Sequence, residues 1–450
     1  MKTRIVVGIL ATLFVASSLS AGVLPGQLRI EKLKNGLTVV MVPTAKEGMV
    51  SFYSLVRTGS RDETDARHTG FAHLFEHMMF RGTKRFPKEA YEAKIQELGA
   101  DNNAFTGSDL TCFTVSAPTA ALPHIIDLEA DRFQNLSYSE ADYKTETGAV
   151  LGEYNMATAS PGLPLYEALL TTAFKAHTYG HTTLGFVDDI KAMPGYYKYS
   201  TDFYKRFYRP DNTTLIVTGA FDPTATLAQI DKAYGKWKGK RVATKVKPEP
   251  VQTEPRTVHV SWKGETSHRM LVGYKIPAFR PGPDSAALEV ASHLAFGETS
   301  PLYRKLVLEE RKLLSLHASS GLAEHLSRDP FLFIVDATLA QGTSFDEIRA
   351  AIDGAVAELA SAKVEPARFS AVRNHVRSAF ALGLETSNDT ALALAILMSA
   401  TFDPQALEKW VDAVSAVTEK DVQKAAQQFL TAQRRTVATL STAGEKGGAK

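Results

Sequence analysis

The segment GKWKGKRVATKVKPEPVQTEPRT, residues 235–257, sets the strongest limit on how this chain folds. It is rich in Lys, Pro and Thr and poor in large apolar residues, which is the composition of a linker. The 450 residues are too many for one ordinary core, and about 200 lie on each side of the segment. The pattern of elements restarts after it. In the first half, LRIEKL and LTVVMVP read as strands flanking Asn35-Gly36, a hairpin dipeptide, and MVSFYSLVRTGS reads as a third strand. Residues 69–80 read as a helix, and 87–98 as another with Pro87 at its start. NNAFT and LTCFTVSAP read as strands paired around Gly107-Ser108. Residues 119–135 and 139–157 are helical by period, TTLIVTGAF is a strand, and 222–236 is a closing helix. In the second half, VHVSW and HRMLVGYKIP are strands, and DSAALEVASHLAFG is a helix in the place of 69–80. LHASSGLAEHLSRDPFLFIVDAT then mirrors NNAFTGSDLTCFTVSAPT, and a helix follows from about residue 344. The expected class is α+β: two tandem homologous α/β-sandwich-like domains, each a mainly antiparallel sheet packed with helices. The expected boundaries are 22–236 and 258–450, joined by a linker at 237–257.

Residues 1–21 stand outside both units. Lys2 and Arg4 precede an apolar run from Ile5 to Ala16, and small residues Ser17, Ser18, Ser20 and Ala21 follow. This is the pattern of a secretory signal peptide. The run is short for a membrane span, and no later segment is long and apolar enough to make one. The expected product is exported, periplasmic and without a membrane segment after cleavage. The single cysteine, Cys112, gives no disulfide framework, and its alternating surroundings read as a buried strand. With 51 Lys and Arg against 49 Asp and Glu, the chain lacks the basic excess of a general nucleic-acid binder.

Chemistry concentrates in GFAHLFEHMMFRGT, residues 70–83. On a helix His73 and His77 stand one turn apart, with Cβ atoms about 6 Å from each other, so both imidazoles reach one metal ion. Glu76 borders the same face and is placed to take a proton from a metal-activated water. A hydrolytic zinc needs a third protein ligand and an open position. The helix at 139–157 offers Glu140, Asp142, Glu146 and Glu153; Glu146 and Glu153 lie two turns apart on one face. Spacing alone does not decide which of them binds the metal and which holds a ligand imidazole. His177 and His181 form a rival pair, but Gly180 between them marks a loop, where histidines mostly face solvent or bond to backbone.

His73-Leu74-Phe75-Glu76-His77 resembles the His-x-x-Glu-His motif of the inverzincins, the pitrilysin, insulin-degrading enzyme and mitochondrial-processing peptidase family. In that family a glutamate some 75 residues beyond the second histidine completes the zinc site, and a further glutamate lies seven residues before it. Glu153 has 75 residues between it and His77, and Glu146 holds the earlier position. The resemblance therefore implies one Zn2+ per chain, with His73, His77 and Glu153 as ligands, Glu76 as general base and Glu146 as support to a ligand. NNAFTGSDLTCF resembles the family strand whose edge receives substrate, which implies contacts from Asn103, Ala104, Phe105 and Thr106. HTYGHTTLGFVDDI resembles a family loop, which implies a structural role for His177 and His181. The implied reaction is hydrolysis of peptides or unfolded segments held as an added strand. His/His/Glu ligation favours zinc over manganese or cobalt.

One expected feature is missing. The family supplies an arginine and a tyrosine, seven residues apart, from the second half. Here Val307 and Leu314 take those positions. Arg304 and Arg311 are seven apart without a tyrosine, and a Ser-Arg-Leu signature reads Ser300-Pro301-Leu302. The second-half helix carries only His293, so it holds no second zinc motif. The resemblance then implies a hetero-oligomer with a same-fold chain that carries the Arg/Tyr pair and lacks the metal motif. The alternatives are a non-catalytic structural relative, which would be expected to have lost part of the motif, and a zinc-binding protein without turnover, which has no need of Glu76.

Overall fold

In a computed structural model of the chain, the structure describes residues 23–45, 48–321, 326–361 and 364–444. The predicted signal peptide lies outside the described residues. Two mixed sheets form. The first holds β1 (Arg29–Lys32), β2 (Thr38–Pro43), β3 (Met49–Val56), β4 (Asp101–Thr106), β5 (Thr111–Pro118) and β6 (Thr213–Gly219), in the order β1-β2-β6-β3-β5-β4. The second holds β7 (Arg256–Trp262), β8 (Arg269–Ile276), β9 (Leu313–Ser319), β10 (Phe331–Leu339) and β11 (Arg435–Thr442), in the order β7-β11-β8-β10-β9. The orders correspond strand for strand once β1 is set aside. In each sheet the last strand of the half returns to the middle. It pairs parallel with one neighbour, β2 or β7, and antiparallel with the other, β3 or β8.

The alternation of β3 explains how the halves are joined. From Val50 to Val56 it is buried on both faces. Val50, Phe52 and Val56 join the core beneath the Phe71–Met78 helix. Tyr53 and Leu55 point the other way, into a core built mainly by the second half. The element that covers this face is the Ser387–Thr401 helix, which packs on β3 and β6. Its buried residues Ala391, Leu394, Ala395 and Met398 recur at helical spacing. The exchange is reciprocal: the Gly162–Ala173 helix of the first half lays Leu165, Leu169 and Leu170 on β7, β8 and β11. Each large side chain buried this way contributes roughly 1.5–3 kcal/mol before ordering costs. Polar contacts fix the register: Tyr53 Oη donates to Asn388 Oδ1 at 2.9 Å, and Thr218 Oγ1 donates to the Ser387 carbonyl at 2.6 Å.

Residues 237–255 carry no helix or strand, yet they are pinned to the first half. The Glu249 carboxylate accepts hydrogen bonds from the backbone N–H groups of Lys175, Ala176 and His177 at 2.9–3.1 Å. Cys112 is buried in β5, where the lack of solvent pushes its thiol well above the usual range. Among the described residues no single helix is long and apolar enough to cross a membrane.

Candidate metal centre

The Phe71–Met78 helix packs its apolar residues Phe71, Leu74, Phe75 and Met78 into the first core, which turns its polar residues toward the Glu140–Thr158 helix and β4. Gly70 starts it with φ 87°, and a Cβ at this position would lie 2.5 Å from the Leu184 carbonyl oxygen, so glycine is required. The first turn is capped by Glu63. Its two carboxyl oxygens accept from the N–H groups of Gly70 and Ala72 at 2.8 and 2.7 Å. Full burial raises the Glu63 carboxyl well above its ordinary value, against the pull of those two bonds. No motif spacing announces this residue.

His73 and His77 sit on one face with ring centroids 4.9 Å apart at 86°. Glu153 reaches across from the Glu140–Thr158 helix, with Oε2 3.3 Å from His73 Nε2 and Oε1 3.4 Å from His77 Nε2. Zinc bonds of about 2.0–2.2 Å to nitrogen and oxygen in a tetrahedron set neighbouring ligand atoms about 3.3 Å apart. The donor set and its spacing therefore fit zinc. Among the described residues, these three form the one group whose ligand atoms all lie within 4.8 Å of one another. Burial pushes the His73 imidazole down to about 4, and nearby His77 adds to this, which favours the neutral ligand form. Glu153 remains 40% exposed, which leaves the centre open on one side.

Glu146 holds His77 from behind. Nδ1 of His77 lies 3.2 Å from Glu146 Oε2, so Nε2 is left to face Glu153. Arg81 pairs with the other Glu146 oxygen. The His77 bond is the main cause that lowers the Glu146 carboxyl, and the same contact raises His77. We expect Glu146→Ala to weaken zinc binding about 10–100-fold while saturation still reaches the wild-type stoichiometry. Competition with a chromogenic chelator measures this.

Glu76 is not in the three-residue group. Its Oε2 accepts from Thr106 Oγ1 at 2.5 Å, and burial raises its carboxyl. Thr106 ends β4, an edge strand of its sheet. Along β4, Ala104 packs on the core of the metal-site side, and Phe105 packs on the core between the halves. Asn103 is exposed, with its Oδ1 accepting from the Ala104 N–H.

The structure sets His177 and His181 apart from this group. His177 lies 3.0 Å from Asp329 Oδ2 through Nε2 and accepts from the Tyr179 N–H through Nδ1. His181 Nδ1 bonds the Thr182 carbonyl. Both are buried, not in solvent: His177 where the two halves meet, His181 beside Glu63 and Phe186 of the first half. In the second half, Val307 is half-buried and Leu314 is 60% exposed.

Comparison with known proteins gives the family. Residues 38–186 match the insulinase family, peptidase family M16, and residues 198–376 match the peptidase M16 inactive domain. The chain is 29% identical over 364 residues to the zinc protease PqqE of Helicobacter pylori, covering 80% of each. It is 27% identical over 222 residues to the beta subunit of the mitochondrial-processing peptidase of Dictyostelium discoideum, covering 49% of this chain and 46% of that subunit. Among solved structures, a protease from Helicobacter pylori superposes with a TM-score of 0.86 at 25% identity, over 93% of this chain and all of that one. The periplasmic protease PqqL of Escherichia coli shares the fold, with a TM-score of 0.76 at 19% identity; 93% of this chain is covered but only 48% of PqqL. Both halves of the chain match M16 domains, and the chain belongs to the insulinase, or M16, peptidase family.

Proposed function

We propose that this chain is the zinc-bearing subunit of an exported metalloendopeptidase that hydrolyses peptides or unfolded segments. What supports this most is the convergence of His73, His77 and Glu153 with a separate carboxylate, Glu76, beside them. Bound zinc supplies Lewis acidity to a water and to the scissile carbonyl. Glu76, half-buried and steadied by Thr106, takes a proton from the water and returns it to the leaving amine. The substrate adds as a strand to the free edge of β4, where main-chain bonds give affinity along Asn103, Ala104, Phe105 and Thr106. The metal-bearing unit is residues 22–236, and a second unit at 258–450 follows the linker 237–257. The described relative PqqL is a periplasmic protease, which accords with export.

Val307 and Leu314 offer no charged or hydroxyl group for a tetrahedral intermediate, so we assign that role to an Arg/Tyr pair on a same-fold partner. Loss of one such donor costs about 10²–10³ in rate. The purified chain alone is expected to cleave an unstructured peptide slowly and in a chelator-sensitive way. A same-fold partner carrying the pair should raise kcat/KM about 10²–10³-fold. Full activity without a partner would remove the partner from the account. Zinc binding with no hydrolysis in either sample would favour a zinc-binding relative without turnover.

A further inference from the structure

The shared strand order lets the second half be laid on the first. The Pro283–Phe296 helix follows β8 as the Phe71–Met78 helix follows β3. The Pro366–Leu382 helix stands second after β10, as the Glu140–Thr158 helix does after β5, and β9 is an edge strand as β4 is. Among these three elements lies a pocket of about 590 Å³. Each contributes a histidine to it: His293 from the first helix, His375 from the second and His317 from β9. Their counterparts in the first half carry the two zinc-site histidines, Glu153 and Thr106.

The side chains repeat the first centre in kind. Glu289 lies one helical turn before His293, with Oε1 3.5 Å from His293 Nε2. Its other oxygen accepts from Ser320 Oγ at 2.5 Å, which orients the carboxylate much as Glu146 is oriented by Arg81. The rings of His293 and His375 stand 5.8 Å apart at 72°, against 4.9 Å and 86° for His73 and His77. The set is wider than the first, so His375 must turn inward to close it. His375 is exposed and His293 half-buried, so both have the freedom to do so. Two imidazoles and one carboxylate select borderline transition metals over magnesium or calcium. The residue before His293 is Ser292, whose hydroxyl donates to the Glu289 carbonyl, so nothing there matches Glu76 as a base.

We propose a second divalent transition-metal site, weaker than the first, in which His293 and His375 from the wall of this pocket are joined by Glu289, the residue paired with His293, with His317 also lining the pocket. It takes Zn2+, Co2+, Ni2+ or Cu2+ and supports no hydrolysis. The inference does not rest on the peptidase reading.

Equilibrium dialysis of the full chain against graded Zn2+, followed by metal analysis, tests it. The wild type should bind one ion tightly and a second at higher zinc. His293→Ala and His375→Ala should each weaken the second ion at least tenfold and leave the tight one unchanged. His77→Ala should weaken the tight ion and spare the second. His375 is exposed, so its variant separates loss of a ligand from loss of fold. Saturation of the wild type at a single ion, or a second ion that persists in both histidine variants, would overturn the proposal; the latter would mark adventitious surface binding. A wild type with no tight ion, but a weak one lost in His293→Ala, would sink the first centre and keep this one.

Discussion

Glu76→Gln should lose peptide hydrolysis and keep zinc. The amide preserves the size of the side chain and can still accept from Thr106 Oγ1. It cannot take a proton from water. General-base loss of this kind costs about 10²–10⁴ in kcat/KM. Steady-state kinetics on an unstructured peptide, with zinc measured on the same samples, separates a lost base from a lost ligand. An active Glu76→Gln would remove Glu76 from the mechanism. An inactive variant that had also lost its zinc would mean that Glu76 helps hold the metal.

The second large effect is on stability, where the two halves meet. Arg328 is almost fully buried and sits between two buried carboxylates. Its Nε bonds Asp109 Oδ1 and its Nη2 bonds Asp62 Oδ2, both at 2.7 Å. Tyr179 Oη donates to Asp109 at 2.6 Å, and next door Arg61 and His177 hold Asp329. Arg328→Met would leave Asp62 with only the longer pairs to Arg61 at 3.6 Å and Arg241 at 4.0 Å, and Asp109 with Arg61 at 3.7 Å and the Tyr179 hydroxyl. Breaking a buried pair on one side costs about 3–5 kcal/mol, because the remaining charge stays desolvated. The first transition in denaturant should shift by that amount. Arg85→Ala is the control: its pair with Asp127 is half exposed on both sides and should cost less than about 1 kcal/mol. Equal effects from the two substitutions would mean that the buried network does not hold the halves together.

The parts of this protein that were legible from sequence share one property: each is encoded by residues close together in the chain. The β3 strand, the Asn35-Gly36 hairpin and the histidine pair at 73 and 77 are each encoded within a few residues. The structure forms those strands and helices and brings Glu153 to the histidines. The sequence did not reveal where the Gly162–Ala173 and Ser387–Thr401 helices pack. The first shows an apolar stripe and the second an unbroken apolar run from Ala391 to Met398, but either pattern says only that the helix is buried, not against which sheet. The reciprocal exchange across the halves is a tertiary fact. Glu63 was missed for a similar reason, since a carboxylate that caps a helix from seven residues upstream has no fixed signature. The second-half pocket escaped because His375 lies 82 positions after His293, and only the fold brings them together. His177 and His181 read as loop residues; His177 is buried where Asp329 of the second half meets the loop, and His181 is buried within the first half beside Glu63 and Phe186.

The proposed centre puts one zinc on His73, His77 and Glu153. Anomalous difference density at the zinc edge, from crystals of the purified chain, tests it most directly. The strongest peak is expected about 2.0–2.2 Å from Nε2 of His73, Nε2 of His77 and a carboxylate oxygen of Glu153, with Glu76 unbound beside it. A strongest peak at any other set of residues, with these three side chains left without metal, would contradict it.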